Sequence, residues 1–68
     1  MLSDWQIRVV AEQENLSIKI TRLSEYISEN SGMKSVSCGA LLILSRQLKV
    51  MCEYNEILIE RINEFDKE

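Results

Sequence analysis

The sequence predicts an all-α fold: a two-helix antiparallel hairpin that assembles into an oligomeric helical bundle. Apolar residues recur at three- and four-residue spacing through two long segments. Both glycines, Gly32 and Gly39, fall in the interval between those segments, in "NSGMKSVSCG". The two segments together carry more apolar surface than one helix pair can hide. At 68 residues the chain makes one domain, close to the lower size limit for a self-sufficient core, which directs attention to self-association. The expected layout is a helix over about 3–29, a turn over 30–37 and a helix over about 38–65.

Helix one begins at "SDWQ", where Ser3 caps the backbone and Gln6, three residues on, reaches back in a capping box, with Asp4 favoured by the macrodipole. Leu2, Trp5, Val9, Leu16, Ile20, Leu23 and Ile27 fall within one arc at 100° per residue and form the expected core stripe. Ile7, Val10, Ala11 and Ile18 gather on the opposite side. Four aliphatics on one back face mark a subunit contact.

In the turn, Asn30 or Gly32 supplies the left-handed residue that ends helix one, and Ser35 or Ser37 caps the next helix. The same stretch sets Lys34, two hydroxyls and the free N–H groups of a helix start near one another, a combination that suits a phosphate. A plain turn and an anion-holding turn both fit these residues.

Helix two repeats Ala40, Leu44, Leu48, Met51, Leu58, Ile62 and Phe65 in a heptad-like pattern. Ile43, Val50 and Ile57 flank one edge of that stripe, and Leu41, Cys52 and Ile59 the other. The resulting arc is roughly twice the 100° that one partner helix covers, so helix two is expected to touch at least two neighbours, with Val50, Ile57 and Ile59 in the subunit contact. Asn55, Gln6 and Gln13 occupy core-type positions. They either pair and fix register or line a central ligand cavity.

The formal net charge of −3 and the absence of any basic run exclude a sequence-independent grip on extended nucleic acid. No apolar run reaches the roughly 18 residues of a membrane span, and "MLSDWQ" lacks the layout of a signal peptide, so a cytoplasmic protein is expected. Cys38 and Cys52, about 21 Å apart along one helix, cannot pair within it and read as small packing residues. With no histidine, two cysteines make a poor zinc site, and the Ser-His and Cys-His nucleophile arrangements are also missing. The acids are spread along exposed helix faces. No catalysis, metal or cofactor is expected.

The segment "WQIRVVAEQENLSIKITRLSEYI" carries an opening Arg8-Val9-Val10 followed by Glu12, Leu16, Lys19, Ile20, Leu23, Tyr26 and Ile27. The segment "ILSRQLKVMCEYNEILIERI" carries Leu44, Gln47, Met51, Tyr54, Ile57, Leu58, Arg61 and Ile62. In these positions the chain resembles small two-helix proteins encoded by tailed bacteriophages. Similar phage hairpins include oligomeric sponges that bind cyclic nucleotides of the CBASS system or cyclic ADP-ribose isomers of Thoeris. The resemblance implies a homo-oligomer that sequesters a nucleotide-derived immune signal in the host cytoplasm without chemistry. The His-Arg and Ser-Gly-Tyr-Arg motif of some of those sponges has no counterpart here, so no binding residue is carried over from it.

A pocket between subunits for such a ligand needs an aromatic face, a cation for phosphate, and hydroxyl or backbone donors. Trp5 and Arg8 share a face of helix one; Lys34, Ser35 and Ser37 are the turn's contribution; Arg46 and Lys49 can complete a neighbour's pocket. Each also has a plain role. Trp5 belongs to the core stripe, Arg46 and Lys49 suit solvent, Tyr26 and Tyr54 sit at stripe margins with wet hydroxyls, and Arg61 can pair with a nearby glutamate. Two other classes of function also fit: an adaptor or inhibitor docking on a host protein through the back of helix one, and a structural coiled-coil oligomer.

Overall fold

The computed structural model describes residues 1–32 and 36–67. Helix α1 spans Asp4–Asn30 and helix α2 spans Cys38–Asn63. They lie antiparallel in a rod of 51 × 14 × 13 Å, and a single 3-10 turn, Phe65–Lys67, follows α2.

Local chemistry explains both helix starts and the first helix end. The Gln6 side-chain oxygen accepts the Ser3 N–H at 2.9 Å, the return limb of the expected capping box. At the other end Asn30 Nδ2 donates to the Tyr26 carbonyl and Ser31 Oγ to the Ile27 carbonyl, each at 2.8 Å, so side chains fold back on the last turn and Ser31 satisfies one of its end carbonyls. Gly32 then takes φ +82°, the left-handed conformation that only a residue without Cβ adopts cheaply. Ser37 caps α2, its Oγ accepting the Ala40 N–H at 3.1 Å. Lys34 and Ser35, with the cap and anion roles expected of them, lie outside the described residues.

The contact seam is a heptad repeat on both helices. On α1 it runs through Gln6, Val9, Gln13, Leu16, Ile20, Leu23 and Ile27; on α2 through Leu41, Leu44, Leu48, Met51, Asn55, Leu58 and Ile62. All of these side chains are buried or half-buried. Gln6 and Gln13 stand in this seam at the core-type positions expected of them, and the expected stripe departs from it only at its start. Leu2 and Trp5 belong to the exposed residues instead. Val10 is a correction in the opposite sense: assigned to the back face, it flanks the seam and packs against the buried cluster. Cys38 is exposed and packs nothing, whereas Cys52 is half-buried.

That cluster is Val9, Leu58 and Phe65, with Leu58 fully enclosed and Val10, Leu16 and Ile62 around it. It sits at the end of the rod away from the turn. Helix two stops at Asn63 because the Glu64 N–H bonds back to both Glu60 and Arg61 carbonyls, at 3.2 and 3.1 Å, tightening the chain into the 3-10 turn. This swings Phe65 inward. Its ring meets Trp5 edge to face, with centroids 5.4 Å apart and planes at 81°.

Near the middle of the open half, Gln13 Nε2 donates to Asn55 Oδ1 at 3.1 Å, half-buried between the helices. Replacing Asn55 by Leu strands the Gln13 amide and should lower unfolding stability in urea by about 1–2 kcal/mol. Gln13→Leu together with Asn55→Leu should recover most of that loss, at the expense of a single alignment of the helices.

Candidate functional site

Once Gln13 faces Asn55, the residues before and after them on one flank of the rod are fixed. Glu12 comes beside Tyr54, whose hydroxyl donates a hydrogen bond to the Glu12 carboxylate. Trp5 comes beside Arg61 and Phe65. Two open grooves result. One, about 490 Å³, is lined by Trp5, Ile57, Glu60, Arg61, Glu64 and Phe65. The other, about 400 Å³, has Arg8, Glu12, Asn15, Lys19 and Tyr54 around a floor of Ala11 and Leu16. Trp5 and Arg8 stand less than one helical turn apart, so the grooves follow one another along the same side.

This flank offers two exposed aromatic faces, Trp5 and Tyr54, among three cations, Arg8, Lys19 and Arg61. Among the described residues the ion pair present is Lys67 with Glu64, at 3.3 Å and exposed, so none of those three cations is held by a carboxylate. Rings for stacking and cations for phosphate are therefore available to a ligand. The Tyr54 phenol titrates above its usual value of 10.0, first because its hydroxyl donates a hydrogen bond to Glu12, then through lost hydration and the Glu12 charge, with Arg61 opposing.

The other sequence candidates lie elsewhere. Ser37 is spent capping α2 at the turn, whereas Arg8 is some 23 residues before Ser31, about 35 Å along the helix. A single chain does not bring Trp5 and Arg8 to Ser37. Arg46 borders a third groove of about 420 Å³ with Ile43, Gln47, Val50 and Met51, and Lys49 is exposed three residues on. On the back of α1, Ile7, Ala11 and Ile18 are exposed, as are Val50, Ile57 and Ile59 on α2. Lys19, Asn15, Tyr54 and Arg61 were missed as partners of Trp5 and Arg8. The signal that reaches them is the pairing of Gln13 with Asn55, which in an antiparallel pair sets 12 level with 56 and so leaves Glu12 within reach of Tyr54 on the same flank.

The sequence model of the Sequestin family matches this chain over residues 3–64, which takes in both helices and the turn. The chain belongs to the Sequestin family. No curated protein and no solved structure matches it. The family name denotes sequestration, hence binding rather than catalysis, in keeping with the resemblance to small sequestering hairpins. Among the described residues no helix is long and apolar enough to cross a membrane.

The flank gives a direct spectroscopic check. In a Tyr26→Phe background, Tyr54 followed by phenolate absorbance should ionise above pH 10.0, and Glu12→Gln should bring the midpoint back down. Because the folded phenol is raised, its contribution to stability is present below the unfolded value and fades as pH climbs through the folded one.

Proposed function

We propose that this Sequestin-family chain is a phage anti-defence protein that sequesters a nucleotide-derived immune signal, a cyclic oligonucleotide or a cyclic ADP-ribose isomer, in the host cytoplasm. It does so as a homo-oligomer, in pockets between protomers and without catalysis. The observation that carries this reading is the flank on which Trp5 and Tyr54 alternate with Arg8, Lys19 and Arg61 in grooves that one protomer leaves open. Stacking on a ring orients a base, and unpaired guanidinium groups hold phosphate with charge-assisted bonds. The open grooves call for a second wall. The turn residues Lys34, Ser35 and Ser37, and Arg46 and Lys49 with them, enter the site from a neighbouring protomer, through contacts drawn from Ile7, Ala11, Ile18, Val50, Ile57 and Ile59.

Calorimetric titration against cyclic dinucleotides, cyclic trinucleotides and cyclic ADP-ribose isomers tests this. One member of the panel should bind, and Arg8→Ala should weaken it by about 1–3 kcal/mol with the assembly intact, the range of a hydrogen bond to a charged group. A silent panel with assembled protein would instead favour an adaptor that docks on a host protein.

A further inference from the structure

Helix α2 carries a second heptad row besides the one it packs on α1. Ile43, Gln47, Val50, Tyr54 and Ile57 follow one another at alternating intervals of four and three residues, turned roughly 110° from the intrachain seam at 100° per residue. These five residues are uncharged, with Arg61 at the next position, and although the Tyr54 hydroxyl reaches Glu12 the row stays exposed: Ile43 is 64%, Val50 63% and Ile57 53%. The opposite margin differs, because Lys49 and Glu56 interrupt the exposed Leu42 and Ile59.

The row is also self-complementary. Ile43 and Ile57 each stand seven residues from Val50, so turning a second copy about an axis beside Val50 lays Ile43 on Ile57, and Ile57 on Ile43. The charges of α2 have the same sense. Along one edge of the row stand Arg46 in the first half and Glu53 in the second, whereas Lys49 and Glu56 turn to the opposite margin. Antiparallel pairing brings Arg46 of each copy beside Glu53 of the other, whereas parallel pairing sets Arg46 on Arg46 and Glu53 on Glu53. We propose that a second copy of this chain docks antiparallel along this row of α2, two-fold about Val50.

The docking completes the grooves. Arg46 of the second copy comes level with Tyr54, and the start of its α2, with Ser37, comes level with Arg61 beside the groove under Trp5. Residues that one chain holds about 35 Å apart thereby meet twice, once at each end of the dimer. The inference deepens the proposed sequestration and rests on that reading for the ligand alone, since the pairing needs none.

Disulfide trapping of the full chain tests it, with Cys38→Ser and Cys52→Ala removing the native thiols. Val50→Cys should give a linked dimer under mild oxidation with no ligand added. Ile43→Cys and Ile57→Cys should each stay unlinked alone and link when mixed. Self-linking of Ile43→Cys or Ile57→Cys as readily as Val50→Cys would show parallel pairing and overturn the proposal, as would a Val50→Cys that stays single. With the native cysteines kept, Val50→Glu should raise the dimer dissociation constant at least about ten-fold in sedimentation while helical circular dichroism persists; an unchanged mass also overturns it. A trapped dimer with a silent ligand panel leaves the pairing standing and removes sequestration. A ligand bound by protein that shows none of these links does the reverse.

Discussion

The hydrogen bond between Gln13 and Asn55 decides where every residue of α1 stands relative to α2. A seam of leucine and isoleucine alone tolerates sliding by a heptad, because apolar side chains still meet apolar side chains. Here a slip of seven residues would set the Gln13 amide against Leu48 or Ile62 and leave it dry and unpaired. That cost selects one alignment. The flank inherits it: Glu12 finds Tyr54, and Trp5 finds Phe65 and Arg61, because Gln13 has found Asn55.

Much of the architecture was legible because it is local. Ser3 with Gln6, Ser37 as cap and Gly32 as left-handed stop each act within a few residues, and each performs its expected part. The seam was harder to read for a physical reason. Gln6, Gln13 and Asn55 were read at core-type positions, but an apolar count also drew in Leu2 and Trp5, which the helix leaves exposed as it turns Gln13 toward its partner amide. Gln6, already engaged with Ser3, stands at the seam's first position without needing a partner across it. Val10 followed the same rotation, moving from the assumed back face to the margin of the core.

The grooves were legible only in part. Trp5 and Arg8 could be named from residue type and spacing, since both lie on one helix. Tyr54, Arg61 and Lys19 join them across the hairpin, and helical periodicity carries no information about what lies opposite on another element. Ser37 presents the reverse case. It looks like a companion of Arg8 in the sequence analysis, but the length of the rod separates the two within one chain. Surplus apolar surface was evident from the width of the α2 arc, and its edge at Ile43, Val50 and Ile57 was already legible there; their exposure became visible once α1 had taken the other side.

The two ends of the rod are held by different means. At the open end, Val9, Leu58 and Phe65 exclude water, and Trp5 closes over Phe65. Toward the turn the seam side chains are only half covered, so proximity there depends on the covalent connection through Gly32. A protease that cut at this exposed glycine would turn an intramolecular encounter, with an effective concentration of roughly millimolar for a short linker, into an ordinary meeting of two peptides. The fragments would stay joined at the far end while concentrated and separate on dilution. A cut in the connector would thus dismantle the molecule from the end that no core guards.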